Sequence, residues 1–429
     1  MLNPFRSRIR WILIFWMFII SAIAYLDRVN ISIAGSSIAK DYGLDNIQLG
    51  WVFSAFVLAY ALFQAPGGRL SDYFGPRKVL FLGTIWWGVF TALTAMVPAG
   101  MAGALIVILA VRFCLGIGEA VVYPASNRLV ANWVPFQERG KANGLIFCGT
   151  GAGAGITPPL ITFILMNYGW RWSFYVSALI GLVAGLVWLW LARDRPEQHP
   201  WVKPQEAEHI RSGLSSATAK TATGNLLSWG TILKNGNVQA LTLSYFTFGY
   251  SAYIFYTWFF IYLNTVRGLD LKASSYYSML PFLSMAVGSL LGGWICDRVT
   301  KRYGKRMGRC GIAVVGLGLA AIFIALGTRA QDAALASIIL AGGAGAVYLS
   351  QSSYWSVTAD IAGASAGSVS GVMNMGAQIG GAITASLTPL IAKHFGWSAS
   401  FLVAAALCLI GSLAWLKVNP ERELVRAPE

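Results

Sequence analysis

The chain has 429 residues, of which 56% are hydrophobic and only 11% charged, and its net charge is +15. A soluble domain carries about 25% charged residues, so this composition excludes a soluble enzyme and points to a membrane chain. The positive balance is not a nucleic-acid signal here, because Lys and Arg collect in the cytoplasmic loops of inner-membrane proteins.

Apolar runs come in chain order at 11–33, 49–68, 79–97, 101–127, 142–166 and 172–192, then at 237–264, 275–296, 310–328, 333–358, 368–392 and 397–416. Each can cross a bilayer, which takes roughly 20 apolar residues, and no closed-barrel alternation competes. The predicted fold class is therefore an all-α polytopic membrane protein with 12 transmembrane helices in two six-helix bundles, 1–192 and 237–429. Between them, 193–236 reads as a cytoplasmic central loop with a short surface helix around Pro204–Ser212. Arg6, Arg8 and Arg10 precede a first run that ends in Asp27-Arg28 with no small-residue cleavage pattern, so an uncleaved first span is expected. The five cysteines form no CxxC pair and the three histidines no ligand cluster, so no metal site is expected and the cysteines read as small buried hydrophobes. With both termini and the central loop on one side, that side holds 24 Lys and Arg against 6 on the other. This bias predicts cytoplasmic termini in the cell inner (plasma) membrane.

The sequence repeats itself. Gly67-Gly68-Arg69-Leu70-Ser71-Asp72 matches Gly292-Gly293-Trp294-Ile295-Cys296-Asp297 at an offset of 225, and Gly169-Trp170 with Phe174 and Trp188 matches Gly396-Trp397 with Phe401 and Trp415 at 227. Gly144 and Thr157 fall on Gly371 and Thr384 at the same offset. Parallel repeats joined by a central loop belong to two-lobed transporters, with the substrate site between the lobes near the midplane.

The segment Gly68-Arg69-Leu70-Ser71-Asp72-Tyr73-Phe74-Gly75-Pro76-Arg77-Lys78 resembles the loop 2–3 signature of the major facilitator superfamily, and Gly293–Arg298 resembles its second copy. The resemblance implies that Gly68, Asp72, Arg77, Asp297 and Arg298 serve gating, latching helices on the cytoplasmic side. Tyr25-Leu26-Asp27-Arg28, Arg112-Phe113-Cys114-Leu115-Gly116-Ile117-Gly118-Glu119, Tyr123-Pro124-Ala125-Ser126-Asn127-Arg128 and Trp133 are further similar to the anion:cation symporter family, which includes bacterial carriers of galactonate, glucarate and hexuronates.

Four charges lie inside the first six spans: Asp27, Arg28, Arg112 and Glu119. A charge at the bilayer centre costs about 2.5–3.5 kcal/mol on insertion scales. Arg112 and Glu119 are seven residues apart and share a helix face, and the four sum to zero. Protonating the two acids would leave two arginines able to take an organic anion, whose carboxylate fits the guanidinium fork. The resemblance implies that Asp27 and Glu119 are the proton-coupling pair and that Arg28 meets the substrate carboxylate. Shifting these positions by 225–227 lands on no charge, so the second half is expected to supply neutral recognition. Tyr253, Trp355, Asn374 and Gln378 there, and Tyr25, Tyr60, Arg112 and Thr150 in the first half, complete the expected substrate set. Thr150 stands where galactonate-type members carry Gln. Asp360 is expected at a gate or on the surface.

The expectation is a proton-coupled symporter of a small organic anion, a hexonate, hexarate or hexuronate, working by alternating access as a monomer in the lipid bilayer. Its coupling ion is the proton, with no other cofactor and no nucleic-acid partner. An aromatic or dicarboxylic acid symporter and an organic-anion exchanger are the alternatives. No nucleophile–base or metal constellation suggests an enzyme, and no GxxxxGK[ST] segment suggests ATP drive.

Overall fold

The computed structural model describes residues 8–44, 46–214, 226–259, 262–269 and 271–424. Arg6, Lys220 and Arg426 of the charge tally, and the Ser/Thr-rich 215–225 of the expected central loop, lie outside the described residues. The helices are α1 (Ile9–Tyr42), α2 (Asn46–Phe74), α3 (Pro76–Met96), α4 (Ala104–Glu119), α5 (Val122–Trp133), α6 (Arg139–Tyr168) and α7 (Trp170–Leu191). Short helices α8 (Pro204–Ser212) and α9 (Trp229–Lys234) follow. The second set is α10 (Gly236–Thr257), α11 (Leu271–Lys305), α12 (Ile312–Arg329), α13 (Ala333–Leu349), α14 (Gln351–Ala362), α15 (Ala366–Phe395) and α16 (Trp397–Ala414).

Eight helical stretches are long and apolar enough to cross a bilayer, and two of them, Tyr276–Arg329 and Ala333–Ala385, run for 54 and 53 residues. At 1.5 Å per residue a straight helix of that length would reach about 80 Å, far beyond one bilayer, so each holds two crossings. The first turns at Gly304, whose φ of 86° only glycine adopts without strain. With α6 and α10, the crossings number twelve, as the apolar runs indicate.

Two crossings bend in the middle. Between α4 and α5, Pro124 lacks the N–H that would bond Ala120. Between α13 and α14, the Ser350 hydroxyl donates to the Val347 carbonyl at 2.6 Å, and the backbone tightens to a three-residue turn there. Glu119 ends α4 and Gln351 begins α14, so both bends deliver a polar side chain to the protein interior.

In the first half α1 packs on α6, α3 on α7 and α2 on α4; in the second, α10 packs on α15, and α13 on α11 and α12. The halves meet chiefly through α2 on α15 and α6 on α11, with α5 also packed on α15 and α6 on α14. The helix expected at the surface, α8, is docked instead: its Glu206 and Ile210 are buried. Glu206 accepts from the Ile9 and Arg10 amides at 3.1 and 3.3 Å and from Arg10 Nη1 at 2.9 Å. It thereby caps α1, which has no side-chain cap of its own.

Candidate functional site

Of the four charges expected inside the first six spans, Asp27, Arg112 and Glu119 are buried and Arg28 is partly buried. Arg28 Nε donates to Glu119 Oε1 at 2.6 Å, with the arginine side chain 12% exposed and the glutamate fully buried. The Arg28 guanidinium lies over three rings, 4.1 Å from Tyr60, 4.9 Å from Tyr25 and 5.5 Å from Phe56. Arg112 lies on the same Phe56 ring at 5.0 Å. Cation–π contact adds to the attraction on both arginines. Asp27 accepts a long bond from Thr91 Oγ1, 3.4 Å. Among the described residues, Asp27 Oδ1, Arg28 Nη2, Arg112 Nε and Glu119 Oε2 are buried without a hydrogen-bond partner. Leaving buried polar atoms unpaired is costly, so this arrangement is not built for stability.

Beside the cluster lies a narrow central cavity. Tyr25, Tyr60 and Tyr123 from the first half and Tyr253, Tyr256, Tyr348, Gln351, Asn374 and Gln378 from the second line it. Tyr253 donates to Gln378 Oε1 at 2.7 Å, the Tyr256 and Tyr348 hydroxyls lie 3.1 Å apart, and Asn374 Nδ2 donates to Gln64 Oε1 at 2.9 Å. The Tyr25 and Tyr256 rings face each other across the halves at 6.0 Å. The wall is thus aromatic with hydroxyls and amides at set points, and Arg28, expected to touch substrate, is not among its lining residues: its guanidinium lies over the Tyr25 and Tyr60 rings that are.

Of the residues expected to touch substrate, Tyr25, Tyr60, Tyr253, Asn374 and Gln378 line this cavity. Thr150 does not: its short side chain turns back on its own helix and donates to the Phe147 carbonyl at 2.8 Å. Trp355 stands behind the wall and donates to the Tyr245 hydroxyl at 2.9 Å. Arg112 is buried outside the cavity, beyond Phe56. Phe147 and Tyr348 line the cavity as well and were missed. Tyr348 sits in α13, a helix that carries no charge to draw notice.

On the face that carries the termini, the gating residues divide. Asp72 accepts from the Gly367 and Ser368 amides at 2.9 and 2.6 Å and from the Ser368 hydroxyl at 2.6 Å. Asp297 accepts from the Gly140 and Lys141 amides at 2.8 and 2.7 Å. Each half thus places a carboxylate on the helix start of the other, where a carboxylate is favoured by the helix dipole and the free amides. The two caps are repeat-related, since 367 and 368 lie 227 beyond 140 and 141. A Cβ at Gly68 would collide with the Gly367 carbonyl, and one at Gly293 with that of Gly140. Arg77 does not cross between the halves: its guanidinium donates to the Leu189 carbonyl at 3.2 and 2.8 Å and its amide to Asp194. Arg298 lies exposed over the Trp294 ring at 5.2 Å. Asp360 is no surface acid. It is fully buried between Arg139 at 2.6 Å and Arg309 at 3.3 Å, and the Arg139 bridge crosses the halves. Arg128 joins in, donating to the Gly363 carbonyl at 2.7 Å.

Two helical halves latched at one face around a central polar cavity define a secondary-transporter architecture. The sequence profile of the Major Facilitator Superfamily matches residues 17–385 and 366–429, and the chain belongs to that superfamily. It is 36% identical over 97% of its length to a probable sulfoacetate transporter, SauU, of Cupriavidus necator, covering 95% of that protein. It is 30% identical to a hexuronate transporter of Bacillus subtilis, over 94% of this chain and 93% of the other. It is similar at 32% to a probable galactarate/D-glucarate transporter of the same organism, over 69% and 67% of the two chains. Among solved structures, the proton:xylose symporter XylE superposes with a TM-score of 0.73 over 94% of this chain and 95% of that one, at 18% identity. These relatives are transporters and not enzymes, and so is this chain a transporter.

Proposed function

We propose that this protein is a proton-coupled symporter of a small organic anion, with a sugar acid as its cargo. The observation that carries this is the 2.6 Å pair between Arg28 and Glu119, with Arg28 against the cavity-lining rings of Tyr25 and Tyr60. While Glu119 is ionised it occupies the guanidinium. When it takes a proton, its carboxyl becomes neutral, Arg28 is freed, and a substrate carboxylate restores the charge balance with a stronger, fork-matched contact. Asp27 is the second proton site in this reading. It is buried, and one of its oxygens has no partner. The expectation of buried charges kept for function, not stability, is supported by the four unpaired atoms around them.

The moving bodies in this reading are 1–192 and 237–429, with the part of 193–236 around α8 carried on the first. The latched face is cytoplasmic, as the Lys and Arg bias suggests, so the described state is closed to the inside. The names of the hexuronate and galactarate/D-glucarate relatives support a sugar acid. A sulfonated carboxylate is the second reading, favoured by the 36% relative.

The test is glucuronate uptake into proteoliposomes under an inward proton gradient. Asp27→Asn and Glu119→Gln are expected to abolish accumulation against a gradient while sparing exchange across the membrane. Full proton-driven accumulation in both variants would sink the assignment.

A further inference from the structure

The duplicated fold allows one half to be compared with the other. At the 227 offset Gly236, the first residue of α10, falls on Ile9, the first of α1, and Trp415 beyond α16 falls on Trp188 of α7. In the first half the corner between the start of α1 and the segment after α7 is filled from within. There α8 lies against the Pro196–Gln198 turn, and its Glu206 answers Arg10 at 2.9 Å. In the second half the corresponding corner is an open cavity between the α9–α10 turn and the segment that follows α16. Three cations line it from its two walls: Lys234 at the end of α9, and Lys417 and Arg422 after α16. All three are exposed, and none forms an ion pair among the described residues. Glu423 is the one acid on the wall, so the lining keeps a surplus of two positive charges.

The cavity stands where the chain leaves the hydrocarbon. Leu233 and Leu416 are exposed apolar side chains, and Lys234 and Lys417 are the next residues. Lysine and arginine near helix ends reach for the headgroup layer, and basic pockets between helices there take anionic headgroups. We propose that this cavity is a headgroup site for an anionic phospholipid of the leaflet at the termini-bearing face, with its phosphate held by Lys234, Lys417 and Arg422. The lipid phosphate then does for the second half what Glu206 does for the first. It ties the end of the linker to the tail, whose Leu424 amide donates to the Ile361 carbonyl at 2.8 Å. The site lies apart from the central cavity and is independent of which cargo is carried.

The test is titration of single lipids into the detergent-purified full chain, with bound molecules counted by native mass spectrometry. Phosphatidylglycerol should bind at least about tenfold tighter than phosphatidylcholine with the same acyl chains, because choline cancels the phosphate charge and each basic residue adds to the attraction for an anionic lipid. Lys234→Gln, Lys417→Gln and Arg422→Gln together should bring that ratio to within about twofold of one. A second triple variant, Lys301→Gln, Arg302→Gln and Arg306→Gln, removes the same charge from exposed positions on the same face and should leave the ratio intact. Equal binding of the two lipids by the wild type overturns the site. So does an equal loss of the ratio in both triple variants, which marks a diffuse surface field. Inorganic phosphate in large excess should not displace phosphatidylglycerol; displacement overturns the lipid assignment in favour of a soluble anion. The wild-type comparison needs no substituted chain, so it decides even if a triple variant fails to fold.

Discussion

Two glycines and an aspartate carry much of the latch. Gly68 faces the Gly367 carbonyl so closely that no Cβ fits, and backbone cannot yield as a side chain would. Gly68→Ala is therefore expected to push α2 and α15 apart at that end and to shift the population towards the form open on the termini-bearing face. Distances between spin labels on the two halves would read this, and an unchanged distribution would contradict it. The residue scale also shows where sequence reasoning was strong and where it stopped. The charges in the first six spans stood out because each is expensive in a bilayer. Gln64 did not, because a neutral amide in a span is equally suited to bonding a neighbouring helix, and its partner Asn374 lies 310 positions away. Arg77 was expected to gate because it shares a loop with Asp72. Only the fold reveals that Leu189 and Asp194 already engage it.

At the scale of elements, α2 is the clearest case of one helix ridge holding one chain of contacts. Phe56, Tyr60, Gln64, Gly68 and Asp72 fall four residues apart, along a ridge that winds gradually round the helix. In turn they meet both arginines, the cavity, Asn374, the Gly367 backbone and the start of α15. The twelve crossings were legible from apolar runs, since the bilayer sets their length. The docking of α8 was not, because nine mostly polar residues with Ile210 as the one large apolar side chain carry no apolar stripe to announce a partner. Its tie to α1 passes through Glu138, which receives Arg10 Nε at 2.9 Å and lies 3.0 Å from His209 Nε2. Burial works to raise the Glu138 carboxyl, but the bonds and charges of Arg10 and His209 overcome it and hold the group below the usual glutamate range. A depressed carboxylate stabilises the fold fully above its unfolded value, about 4.3, and loses that contribution as pH falls through the lower folded value. Hydrogen exchange at the start of α1, corrected for intrinsic rates, should accelerate across that acidic window in the wild type. Glu138→Gln should flatten the dependence, and an equal dependence in both would discount the tie.

At the scale of the molecule, the two halves meet through reciprocal helix caps and one buried cross-half ion pair. Asp360 serves Arg139 from the first half and Arg309 from its own. Removing one partner of a buried charge group costs about 3–5 kcal/mol, because Arg139 then has no acidic partner among the described residues, while Arg309 keeps Asp297 at 3.1 Å. Asp360→Asn should therefore destabilise the latched form far more than the open one, where water reaches both arginines. Spin-label distances across the termini-bearing face should lengthen, and retention of the latched population would contradict this.

The caps at Asp72 and Asp297 also bear on how the molecule changes shape in time. Each carboxylate is received mainly by main-chain amides, and an amide in a helix cannot swing aside as a lysine can. The amides cannot move apart from their helix, so opening the face requires each helix start to withdraw from its carboxylate. Because the two are set in opposite halves and related by the repeat, a rigid rocking motion withdraws both at once. Opening is then a step with no halfway house: long waits in one form, brief crossings, and a rate that reports the joint strength of two matched clasps.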